Sequence, residues 1–296
     1  MSNFSPPPSI PVIFGCEGPR LSEAERVFFR EHNPVGLILF SRNCETPGQV
    51  RELISDFKKL VTMPRPLILI DQEGGRVQRL TLPNWPVYPA AGTVAQLASS
   101  NLDEAKRAIN LLGRLLASDL APLGINVNCA PVLDVLRPET HDIIGDRALG
   151  TDAMRVIHLG RALCDGLLSG GILPVIKHIP GHGLAAIDSH KGLPIVNASV
   201  EELDAVDFAP FRALRDMPLA MTAHLVFTAF DRLRPVTTSD VLIRDVLRER
   251  IGYKGVIMSD DITMSALEGS MEERARSALS AGCDIVLHCN GIITEM

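Results

Sequence analysis

Apolar residues fall in short, nearly unbroken runs that recur along the whole chain. They are PVIFG (11–15), VGLILF (35–40), PLILID (66–71), INVNCAPVLDV (125–135), LPVIKH (173–178), LAMTAHLVF (219–227), GVIMSDD (255–261) and DIVLHCN (284–290). A strand covered on one face alternates apolar and polar residues. A strand covered on both faces does not, and runs like these belong to parallel sheets. Between them the period changes to that of helices. SEAERVFFREH sets Ser22 as a cap before glutamates in the first turn, where the helix dipole favours negative charge. PGQVRELISDFKKL, LDEAKRAINLLGRLLASDLAPLG, DAMRVIHLGRALCDGLLSGG, SVEELDAVDFAPFRALRD, SDVLIRDVLRERIG and SMEERARSALSAG follow. SVEE reads as the start of a capping box, and Gly124, Gly170, Gly252 and Gly282 stand where helices should stop.

Eight strands alternating with helices predict a (β/α)8 TIM barrel, a single catalytic domain over residues 1–296. A doubly wound open sheet is the architectural alternative. No G-x-G-x-x-G follows the first strand, which disfavours its dinucleotide-binding form. The chain stops at Met296, just after the eighth strand. Either the closing helix is absent from this chain or another element covers that side of the barrel.

Composition narrows the partners. The formal net charge is -6, and no lysine- or arginine-rich run occurs, so neither nucleic acid nor an anionic membrane is an expected partner. No apolar stretch reaches the roughly 18 residues of a membrane span, and MSNFSPPPSIP lacks the basic and apolar regions of a secretory signal. The 6 cysteines are scattered without paired spacing, which reads as reduced thiols in a cytoplasmic protein. A monomer is the expected state.

In a barrel the chemistry gathers at the C-terminal ends of the strands. Those ends carry Asp71, Asp134, Lys177 and His178, His224, Asp260 and Asp261, then His288 and Asn290. Asp134 as a turn cap and His224 as a core histidine are the structural alternatives. The densest stretch is KHIPGHGLAAIDSH (177–190), with three histidines, a lysine and an aspartate after a buried strand. Its glycines and paired alanines predict a mobile loop from Gly181 to His190. In DQEGGRVQRL (71–80) two glycines let the backbone turn close to a ligand, and Arg76 and Arg79 can each grip a carboxylate. Pro180 and Gly181 separate His178 from His182, which argues against a helical pair of metal ligands. Neither a metal nor a cofactor is expected. Carboxylates, histidines and cations around a polar pocket suit hydrolysis through a covalent intermediate. Asp260 is then the candidate nucleophile, and Asp188 with His190 can act as a linked proton donor.

KHIPGHG followed by DSH, together with DQEGGRVQRL, GDRALG and SDDITM, resembles the family-three glycoside hydrolases, and within them the bacterial β-N-acetylhexosaminidases of the NagZ type. The likeness runs in order through nearly the whole chain. Ile179 stands where phenylalanine is more usual. The resemblance implies that Asp260 is the nucleophile, His190 the general acid/base and Asp188 its orienting partner. It also implies that Asp71, Arg79, Arg147, Lys177 and His178 hold the terminal sugar. The implied reaction is retaining removal of terminal β-linked N-acetylglucosamine from peptidoglycan fragments. General glycosidase chemistry alone suggests a second carboxylate as the acid. A β-glucosidase, a glycoside phosphorylase and an inactive sugar-binding barrel are the alternatives.

Overall fold

The computed structural model describes residues 7–185, 187 and 192–296. Each apolar run contributes one barrel strand: β1 Ile10–Phe14, β2 Pro34–Leu39, β3 Leu67–Ile70, β4 Val127–Asn128, β5 Leu173–Ile179, β6 Leu219–Thr222, β7 Val256–Asp261 and β8 Ile285–His288. Consecutive strands are neighbours, and β8 closes the ring on β1. Every barrel pairing is parallel. The residues turned inward fill the barrel, among them Ile13, Ile38, Leu69, Val127, Val175, Met221, Met258 and Leu287. A larger apolar layer lies outside, between strands and helices. This two-sided burial is why the runs do not alternate.

The helices begin where the caps stand. Ser22 starts Glu23–His32 with a complete capping box to Glu25, and Ser270 does the same through Glu273 for Met271–Ala281. Thr46, Asn101 and Asp152 cap Pro47–Leu60, Leu102–Leu120 and Ala153–Ser169. The segment 199–216 departs from the single expected helix. It breaks into Val200–Ala205 and Phe208–Ala213. Pro210 has no N–H to donate, and its ring would meet the Val206 carbonyl of a continuous helix.

The fourth run also departs. Residues 125–135 read as one long strand, yet only Val127 and Asn128 pair as such. Pro131 cannot donate to a ladder. The side chain of Asn128 acts in place of backbone instead. Its amide donates to the Gln72 carbonyl, and its oxygen accepts from the Gln72 N–H, at 2.8 and 3.0 Å. In the sixth run the barrel ladder ends at Thr222, and Val226–Phe227 pairs with Ile195–Val196 outside the barrel. After β8 the chain makes a turn in which Glu295 and Met296 both donate to the Ile292 carbonyl.

Candidate active site

The polar strand ends meet over a cavity of about 240 Å³ at the C-terminal mouth of the barrel. Asp71, Arg79, Arg147, Lys177, His178, Asp260 and Asp261 line it, with Ile38, Val77, Met221, Met264 and Leu287 as its apolar wall. A larger cleft of about 550 Å³ lies elsewhere, around Leu193, Leu233 and Arg274. The Arg274 guanidinium there is occupied by the carbonyls of Ile262, Met264 and Gly269.

Asp71 lies just past the end of β3 and accepts from Lys177 Nζ at 3.0 Å and from Arg79 at 3.2 Å. Glu73, two residues on, is buried and accepts both arms of Arg147 at 2.9 Å, with Lys177 Nζ at 2.6 Å. Burial alone raises a carboxyl pKa, but the two cations beside each acid outweigh it. Asp71 is held well below the ordinary range and Glu73 near 2. The same pairing reverses the effect of burial on Lys177 and on Arg147, which are both pushed up and stay charged. The result is an alternating lattice of charges tying β3, β5 and the turn at Gly145–Arg147 together. The Arg79 guanidinium also stacks over the Phe40 ring, 5.2 Å from its centroid.

Asp134 has no exposure and accepts three hydrogen bonds. They come from the His178 N–H at 3.2 Å, the His182 N–H at 2.7 Å and His178 Nδ1 at 2.7 Å. Burial works to raise its pKa, and the two histidines bring it below the usual value. An ionised Asp134 can only accept, so His178 Nδ1 carries a proton and Nε2 is left for the cavity. In its neutral form the ring therefore offers an acceptor to a hydroxyl.

Asp260 ends the buried half of β7. Its Oδ1 accepts from the Asp261 N–H at 2.8 Å. Oδ2 has no partner among the described residues. Burial opposes the charge, yet His224, His178, the Asp261 amide and Lys177 together hold the pKa low. Asp261 itself is spent on structure. It accepts from Thr263 N–H and hydroxyl at 3.0 and 2.6 Å and from the Cys289 N–H at 3.1 Å.

Asp188 and His190 lie outside the described residues, so the expected acid/base pair is not placed. The start of their loop departs from the flexibility expected of its glycines. Gly181, His182 and Gly183 are buried. Gly181 and Ala185 donate to the carbonyls of His178 and His182, His141 donates to Ala185, and the Thr140 hydroxyl to Gly183. A Cβ at position 183 would collide with the Val135 carbonyl, so glycine serves close approach here.

The eighth strand end corrects an expectation. His288 faces away from the cavity and packs edge-on against Phe14 at 5.7 Å, because Leu287 and Cys289 hold the inward positions. Asn290 turns to Glu295. Arg76 pairs with Asp146 at 2.9 Å and with carbonyls of 142–144, fixing the turn that presents Arg147. Glu73 was not among the sequence candidates. Its signal was available, two residues beyond Asp71 and therefore on the same side of an extended chain.

Residues 11–296 match the model of the glycosyl hydrolase family 3 N terminal domain. A β-hexosaminidase of Alkalilimnicola ehrlichii is 41% identical over 284 residues, covering 95% of this chain and 80% of that one. The native NagZ structure from Neisseria gonorrhoeae superposes with a TM-score of 0.90 at 38% identity, over 97% of this chain and 84% of that one. The same enzyme in complex with N-trifluoroacetyl-D-glucosamine gives 0.89 at 38%, over 96% and 82%.

Proposed function

The chain belongs to glycosyl hydrolase family 3, with β-hexosaminidases among its relatives, and from that membership we propose a retaining exo-β-N-acetylglucosaminidase working through Asp260. The observation that carries the reading is the state of the carboxylates at the barrel mouth. Asp71, Glu73 and Asp134 are each held ionised by cations or donors, so none can give a proton to a leaving group. Asp260 keeps one oxygen anchored and the other, on the cavity wall, without a partner among the described residues. That suits a nucleophile, and the acid must come from another segment. The DSH segment supplies His190.

In the first step Asp260 Oδ2 bonds to the anomeric carbon. The bond to the aglycone oxygen breaks, and that oxygen leaves with the electron pair and takes the His190 proton. In the second, neutral His190 takes a proton from water. The water oxygen attacks the anomeric carbon, and the ester bond to Asp260 breaks to restore the carboxylate. Asp188 orients the imidazole and raises its basicity. Asp71, Arg79, Arg147, Lys177 and His178 hold the hydroxyl and acetamido groups of the terminal sugar, and a fixed set of donors stabilises charge as it develops. The Neisseria gonorrhoeae complex with an N-acylated glucosamine supports this choice of sugar. The natural substrates are proposed to be muropeptides released during cell-wall recycling in the cytoplasm, taken by a monomer without cofactor or metal.

The test compares aryl β-N-acetylglucosaminide with aryl β-glucoside, each with and without phosphate. Preferential turnover of the N-acetyl substrate to free sugar, indifferent to phosphate, is expected. Preference for the glucoside, release of a sugar phosphate, or binding without turnover would each overturn the reading in favour of a different one.

A further inference from the structure

A chain of hydrogen bonds starts and ends on the two residues of the Asp260–Asp261 pair. The Asp260 N–H donates to Thr222 Oγ1 at 3.4 Å. Thr222 Oγ1 and Thr237 Oγ1 are 2.8 Å apart. Thr237 Oγ1 lies 2.7 Å from His224 Nδ1, and His224 Nε2 lies 3.0 Å from the Asp261 carbonyl. Thr222 and Thr237 have no exposure and His224 is 1% exposed.

The direction of every link follows from chemistry. A carbonyl can only accept, so His224 Nε2 carries a proton. Burial favours the neutral ring and lowers the His224 pKa. A neutral imidazole with its proton on Nε2 must accept at Nδ1, so the Thr237 hydroxyl donates there. Thr237 then accepts from the Thr222 hydroxyl, and Thr222 accepts from the Asp260 N–H. Each hydroxyl then has one donor and one acceptor in the chain; the Ala223 carbonyl, a second acceptor for Thr237 Oγ1, lies farther off at 3.5 Å than His224 Nδ1 at 2.7 Å. The two threonines come from different places, the end of β6 and the turn Val236–Thr238, so the arrangement joins three segments around β7.

The geometry points to Thr222, Thr237 and His224 as positioning residues that fix the two peptide groups flanking the Asp260–Asp261 peptide, the N–H of Asp260 on one side and the carbonyl of Asp261 on the other. Asp260 must present one carboxylate oxygen to the anomeric carbon along a narrow approach, and a small misplacement of a reacting group can cost about 100-fold in rate. The carboxylate is already oriented by the Asp261 N–H. That amide is only as well placed as its peptide, and the relay grips the peptide units on both sides of it. None of the three lines the cavity, so their effect is on placement of Asp260 and not on grip of the sugar.

This inference rests on Asp260 being the nucleophile, and the experiment separates the two. Thr237→Val keeps the shape and removes the hydroxyl; Thr237→Ser keeps the hydroxyl. Thr237→Val should lower kcat/KM for an aryl N-acetylglucosaminide about ten- to hundred-fold, while the inhibition constant of free N-acetylglucosamine changes less than about two-fold. Thr237→Ser should recover most of the loss. If Thr237→Val does not fold, the same contrast is read on Thr222→Val against Thr222→Ser. Unchanged kcat/KM in the valine variant, or a serine variant as slow as the valine, would overturn the positioning role. Asp260→Ala is run alongside. If it retains turnover, the nucleophile assignment falls whatever Thr237 does. If it is inactive while Thr237→Val is untouched, only the relay falls.

Discussion

Glu73 is the residue on which the cations of the cavity depend. It neutralises Lys177 and Arg147 at once and lies under both. Glu73→Gln keeps the volume and removes the charge, leaving two buried cations facing Asp71 alone. Breaking a buried ion pair from one side typically costs about 3 kcal/mol or more. The variant should lose that much in denaturant unfolding, and kcat/KM should fall with it. Wild-type stability in Glu73→Gln would show that the lattice does not need this carboxylate. At this scale the sequence was readable for side chains at strand ends and less so for their facing. Asp71, Lys177, His178 and Asp260 reach the cavity, whereas His288 does not, because its neighbours Leu287 and Cys289 hold the inward positions of that strand. Glu73 escaped because it follows the strand end, and the role of Asp134 stayed open because a carboxylate satisfied by three N–H donors looks the same in sequence as a turn cap.

The charge lattice joins β3, β5 and the turn carrying Arg147, so its acids should appear in the acid stability of the fold. An acid whose folded pKa is depressed contributes stability that is fully present above its unfolded pKa and is lost as pH falls through the folded one. Glu73 moves from an ordinary 4.5 to about 2, and Asp71 moves in the same direction. Stability should therefore fall steadily from about pH 4.5 toward pH 2, and Glu73→Gln should flatten that slope. A wild-type curve that is flat over this window would contradict the pairing. Element existence was legible from apolar runs and caps, and element extent was not. Pro131 shortened the fourth strand and Pro210 split a helix. The histidine loop was read as glycine-rich and therefore loose, yet its first residues are bound to the barrel rim. Glycines admit close packing as readily as freedom, and a single sequence does not distinguish these uses.

For the whole molecule the barrel was legible because eight doubly buried strands have few other arrangements, and membership of family 3 agrees with it. The site is partly legible for the same reason: strand ends converge whatever the helices do. The acid/base assignment rests on a segment outside the described residues and is best tested by its chemistry. A sugar leaving group needs proton assistance and an activated nitrophenolate does not. His190→Ala should therefore slow a natural disaccharide substrate by about 10² to 10⁴-fold and the aryl glycoside much less. Equal losses on both substrates would mean that His190 only supports the loop.

The most direct test of the account is to trap the covalent intermediate. A fluorinated, activated N-acetylglucosaminide slows both steps, and slows the second more, so a glycosyl-enzyme accumulates. Peptide mass analysis of the inactivated protein should locate one sugar on the peptide containing Asp260, with no labelling of Asp260→Ala. Label on another carboxylate, or continued turnover with no covalent sugar at any point, would contradict the account.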